Sequence, residues 1–72
     1  MIEIGIIGLI ESGDQAGMQV KILDDSKSTG GYLILTGENL DNKDLEAFDD
    51  WVATKNELEG YFNESKWEIK WL

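Results

Sequence analysis

Isoleucine recurs at every second position from Ile2 to Ile6, with Glu3 and Gly5 between, and the apolar run continues through Ile7, Leu9 and Ile10. Alternation of period two is the mark of a strand with one buried face, so residues 2–10 predict a first strand. Glu11 to Gly17 is turn chemistry, rich in residues that accept unusual backbone angles. Met18, Val20 and Ile22 alternate with Gln19 and Lys21 and predict a second strand. A polar, glycine-closed turn follows from Asp24 to Gly31. Tyr32 to Thr36 then predicts a third strand that is apolar on both faces, which suits a central position covered on at least one side. Three strands with short connections predict an antiparallel meander.

The pattern changes after Gly37. Leu45, Phe48 and Val52 have helical spacing, with Asp41 as a possible cap and Leu40 as a staple against Leu45. Leu58, Tyr61 and Phe62 are also spaced helically, but at about 100° per residue they sit roughly 110° out of phase with the first trio. One straight helix cannot bury both, so a break is expected near Ala53–Lys55. Thr54 and Glu57 form a capping-box pair there, which predicts a helix over residues 55–64. Residues 41–53 are then either a separate short helix or a loop leading into a strand around Asp49–Val52. Trp51 and Val52 are good strand formers and favour the strand. Trp67, Ile69 and Trp71 alternate with Glu68 and Lys70, predicting a terminal strand with a heavy apolar face.

The expected fold is therefore α+β: a small antiparallel β-sheet of about four to five strands with one helix packed on it. At 72 residues it is a single domain, 1–72. A domain this small buries only roughly 60% of its unfolded surface. There is no cysteine to staple it, so its seven aromatic residues, which bury the most area per residue, are expected to stand in for staples. The opening apolar stretch is short, is interrupted by Glu3, Gly5 and Gly8, and lacks a basic flank. It predicts neither a membrane span nor a signal peptide. The expectation is a cytoplasmic protein beginning at its own first methionine.

Charge adds what patterning does not. Fifteen acids stand against six lysines, with no arginine or histidine, for a net charge of −9. Such a surface repels nucleic acid, anionic membrane and phosphate, and attracts basic protein. The charge is also uneven. Glu38 to Glu64 holds nine acids against Lys43 and Lys55 and so carries −7 of the total, with Trp51 and Tyr61 inside the stretch. Carboxylates steer encounter while an aromatic supplies a desolvated anchor. Tyr61 is in phase with Leu58 and reads as core. For Trp51, core and exposed anchor both remain open. The expected partner-binding residues are Asp44, Glu46, Asp49, Asp50, Trp51, Glu57 and Glu59. The alternative is a solvated acidic face serving solubility alone, but −9 on 72 residues exceeds what solubility needs.

Catalysis has little to work with. The commonest general base and the strongest nucleophile are both missing, and the serines at 12, 26, 28 and 65 lie in turns without an activating histidine. The adjacent pairs Asp24–Asp25 and Asp49–Asp50 point apart if extended. The Asp41–Glu46 segment fails as a calcium loop, with Lys43 and Leu45 where oxygen ligands belong and Glu46 where glycine belongs. Gly30–Gly31 could form an anion nest, but a hairpin turn of positive φ fits better. No enzyme activity, cofactor or metal is expected.

The size and acidity of the chain, with Gly-Gly-Tyr-Leu-Ile-Leu, Asp-Asp-Trp-Val, Leu-Glu-Gly-Tyr-Phe and Trp-Glu-Ile-Lys-Trp-Leu along it, resemble a small acidic bacterial immunity protein of the polymorphic or contact-dependent toxin systems. That resemblance implies a cytoplasmic, non-catalytic antitoxin that binds and neutralises a cognate toxin domain, often a basic nuclease, in bacterial competition. A second hypothesis, drawn from the same charge, is a phage- or plasmid-encoded nucleic-acid mimic that inhibits a DNA-binding defence enzyme. A third is an acidic subunit of a larger assembly or a homodimer, joined through the Trp67–Trp71 strand.

Overall fold

The computed structural model describes residues 2–42 and 44–72. Five strands form one sheet: β1 (Ile7–Ser12), β2 (Gln19–Asp25), β3 (Gly31–Gly37), β4 (Ala47–Val52) and β5 (Glu68–Trp71). One helix, α1 (Lys55–Ser65), lies between β4 and β5 in sequence. The strand order is β4-β3-β2-β1-β5, and every pairing is antiparallel. The expected α+β architecture is the one observed.

The first strand starts later than its alternation predicts. Ile2 to Ile6 lie outside the sheet, and pairing begins at Ile7. Gly5 takes φ 80°, which breaks the extended run, and its N–H reaches Ile22 O at 2.7 Å. Beyond Ile10, Glu11 and Ser12 extend the strand instead of starting the turn. For residues 41–53 the strand alternative holds over Ala47–Val52, and the described residues of the stretch show neither a cap at Asp41 nor a helix. Asn39 and Asn42 instead accept the N–H groups of Asp41 and Asp44 through their side chains, at 3.1 and 3.0 Å. These local turns compete with helix.

α1 begins where its capping box predicts. Thr54 Oγ1 accepts the Glu57 N–H at 3.1 Å, and Glu57 Oε2 accepts the Ala53 N–H at 2.8 Å. It ends at Lys66 in the left-handed region, φ 56°, whose N–H returns to Asn63 O and Phe62 O.

Register assigns the faces. Val20 pairs with Thr36, and Ile22 with Ile34, so these side chains lie on one side of the pleat. Together with Ile10 and Leu58 from α1 they form the buried core. Tyr61, Phe62, Trp67, Ile69 and Trp71 pack against it. Trp67 stands edge-on to both Tyr61 and Phe62, with centroids 5.5 and 5.0 Å apart. Tyr61 is thus part of the packing, as its phase with Leu58 predicts. The opposite face carries Ile7, Leu9, Leu23, Leu33, Leu35 and Trp51, and no helix among the described residues covers it. The assembly is only 18 Å in its thinnest dimension, the thickness of a sheet with one layer on it.

Candidate binding surface

The acidic stretch is built around β4, which ends the sheet. Ala47 to Trp51 are all exposed, and only Val52 turns partly inward. Two large apolar side chains stand out on this strand, Phe48 at 59% and Trp51 at 45% exposure. Period-two alternation puts Asp49 and Trp51 on the uncovered face and Phe48 and Asp50 on the helix side.

Trp51 is exposed but fixed. Its indole Nε1–H donates to Thr29 Oγ1 at 2.8 Å, and Thr29 Oγ1 also lies 2.9 Å from Asp25 Oδ2. The ring rests over Gly31, where an added Cβ would strike the Val52 carbonyl and come within 2.6 Å of the indole Cε2 and Cζ2. Cross-strand, Trp51 faces Leu33, which faces Leu23, so an apolar row crosses three strands from the β4 edge. Gly31→Ala is expected to press on the Val52 end of β4, to unseat the indole and to destabilise the fold by about 1–3 kcal/mol. A red-shifted Trp51 emission, measured with Trp67 and Trp71 replaced by phenylalanine, together with a lowered urea midpoint would show it. An unchanged spectrum and midpoint would mean that the glycine is dispensable to the seat.

The loop before β4 supplies the other carboxylates. Glu38, Asp44 and Glu46 rim a shallow hollow of about 410 Å³ whose apolar lining is Met18, Leu45 and Phe48. Leu45 is itself 40% exposed. Asp44, Glu46, Asp49, Asp50 and Trp51 therefore gather along one edge of the molecule, with acids interleaved among apolar anchors.

The two remaining expected residues stand elsewhere. Glu57 is engaged in the capping box of α1, holding the Ala53 N–H. Glu59 lines a groove of about 690 Å³ with Ile2, Phe62, Trp67, Ile69 and Trp71. Asp50 also has internal work: its Oδ1 accepts the Trp51 N–H at 3.2 Å. Burial and then the neighbouring Asp50 carboxylate raise the Tyr61 pKa above the usual tyrosine value, so the phenol keeps its proton beside that carboxylate.

Sequence reasoning did not select Leu45, Phe48 and Glu38 for this surface. Leu45 and Phe48 have the spacing of a buried helical face, and that spacing concealed them. Once residues 47–52 are an edge strand, an apolar residue at 48 has no helix face to join. Among the described residues, no group of three or more histidine, cysteine, aspartate or glutamate side chains is placed to hold a metal. No described helix is long and apolar enough to cross a membrane. No family model, curated protein or solved structure matches this chain.

Proposed function

We propose that this chain is a non-catalytic binding protein whose β4 side engages a basic protein partner. The observation that supports it is the interleaving of Leu45, Phe48 and Trp51, all exposed, with Asp44, Glu46, Asp49 and Asp50 along one edge. A solvated acidic face made only for solubility has no need of three exposed large apolar residues among its carboxylates. A binding surface needs both, the charges for encounter and the apolar groups for the desolvated centre. In its specific form, the reading is a cytoplasmic immunity protein that neutralises a basic toxin domain, such as a nuclease, by occupying the cleft that its phosphates would fill. The runner-up is a nucleic-acid-mimic inhibitor of a DNA-binding defence enzyme, which predicts the same charge logic and differs in the partner.

Capture from a lysate of the source organism, with bound proteins identified, tests the reading when wild type is run beside an Asp44→Lys/Glu46→Lys/Asp49→Lys variant. The expected result is one strongly basic protein retained by wild type and lost from the variant. An acidic partner, or equal retention by both, would contradict it. A captured toxin domain supports the immunity form, and a captured DNA-binding enzyme supports the mimic.

A further inference from the structure

β4 is bonded to β3 on one side, through six consecutive residue pairs without a register shift, and no described strand lies on its other side. The opposite edge differs: β5 has four residues and pairs with β1 across an irregularity between Ile10 and Ser12. Sheets ordinarily guard an open edge with charged side chains, lysine above all, or with proline, a bulge or a covering segment. β4 has no lysine, no proline and no bulge. Its guard is charge of one sign, the two adjacent aspartates, which repel a like-charged strand and leave the edge open to an oppositely charged one.

The backbone shows where pairing is available. The Trp51 N–H bonds to the Asp50 carboxylate of its own strand, so it is not spent on β3. In an antiparallel ladder, alternate residues direct both N–H and C=O to the same neighbour. Asp49 and Ala47 therefore share the outer edge with Trp51. Past Val52 the edge is closed, because Glu57 already holds the Ala53 N–H. The template runs from Ala47 to Trp51.

The side chains select what can pair there. A second copy fits badly: two-fold antiparallel pairing through the outer edge, centred on Asp49, sets that carboxylate directly opposite its own copy on the uncovered face. Like charges directly opposite destabilise a ladder, and each chain already carries −9. A segment with two consecutive basic residues between apolar ones fits well. One cation meets Asp49 on the uncovered face and the next meets Asp50 on the helix side. The flanking apolar residues lie beside Phe48 and Trp51.

From this we infer that β4 is a strand-addition site for an extended basic segment of a partner protein, of the pattern apolar-basic-basic-apolar. The inference rests on the reading that the β4 side binds a basic protein, and it adds the mode of binding. On docking, an incoming carbonyl takes over the Trp51 N–H and Asp50 turns to the incoming cation.

The test titrates the whole isotope-labelled protein with a capped peptide carrying Val-Lys-Lys-Val between threonines. Two further peptides are N-methylated on alternate sets of central amides, and a fourth has Glu-Glu at its centre. The expected result is amide shifts concentrated on residues 47–51. One methylated peptide is expected to lose about tenfold or more in affinity while the other binds as the parent does, because only alternate amides face β4. Asp49→Lys/Asp50→Lys is expected to prefer the Glu-Glu peptide, and Asp49→Lys alone, which leaves Asp50 on the Trp51 N–H, to weaken the Lys-Lys peptide. Equal binding of both methylated peptides, or shifts centred away from β4, would overturn strand addition while leaving a charge-driven basic partner intact. Absence of binding by every peptide overturns strand addition too, and capture from lysate then judges the broader reading separately. Self-association of the free protein through β4 would overturn the selection by charge.

Discussion

Leu58→Ala is expected to destabilise the domain by about 3 kcal/mol, within the roughly 2–5 kcal/mol range for leucine truncation in a close-packed core. Leu58 is the one fully buried residue of α1. It closes the cluster of Ile10, Val20, Ile22 and Ile34, which the sheet alone leaves open to water. A chain of this length has a total stability of about 4–11 kcal/mol at the usual stability per residue. The loss is thus a large part of the whole. Urea unfolding should show a much lower midpoint with an unchanged slope. A change below about 1 kcal/mol would mean that the site collapses around the missing methyl groups and that the helix is not held through this residue.

Gly13→Ala should cost as much or more, for a different reason. Gly13 sits at φ 97° in the turn from β1 to β2, a conformation that costs an alanine about 1–2 kcal/mol. Its missing Cβ also leaves room for the end of α1, since an added carbon would strike the carbonyls of Ser65 and Lys66. Backbone cannot step aside as a flexible side chain can, so overpacking adds about 1–3 kcal/mol. The same contact anchors the turn to the helix end: the Asp14 N–H donates to Ser65 O at 2.9 Å, and the Trp67 indole N–H donates to Asp14 O. Gly17→Ala is the control. It has φ 94° but no neighbour within 4 Å of its would-be Cβ, so it should show the conformational cost alone. Equal losses at the two positions would mean that the close approach of turn and helix end is not a constraint.

Much of the fold was legible because local signals agreed with one another. Thr54 and Glu57 announced the start of α1, and the capping box stands where they place it. Val20 and Ile22 announced their strand by alternation, Ile34 lies in a strand apolar on both faces, and all three form the core face. The failures come from residues whose local pattern and tertiary place diverge. Ile2, Ile4 and Ile6 alternate like a strand, but a positive φ at Gly5 turns the chain before pairing starts. Leu45, Phe48 and Val52 carry helical spacing by coincidence, because β4 holds Phe48 at an edge and the preceding loop holds Leu45 at the surface.

The candidate surface was half legible. Charge picked out Asp44, Glu46, Asp49 and Asp50, which do share an edge. It also picked Glu57 and Glu59, since a linear stretch of acid says nothing about the side of a helix on which each lies. Trp51 was ambiguous in sequence. Its exposure depends on Gly31 and Thr29, twenty or more positions away, which seat the ring without burying it. The apolar row from Leu23 through Leu33 to Trp51 needed the register of three strands, and no single segment carries that information.

Charge along the β4 side is proposed to bring a basic protein to this edge. The most direct measurement is the affinity for the captured partner at ~50 mM and ~500 mM salt, with wild type beside Asp44→Lys/Glu46→Lys/Asp49→Lys. Exposed charges are screened within about 10 Å at 0.1 M salt and within about 3 Å at 1 M. Wild-type affinity is expected to fall by about tenfold or more across that range, mainly through slower association, while the variant binds weakly and with little salt dependence. Wild-type affinity that stays constant from ~50 to ~500 mM salt would contradict it.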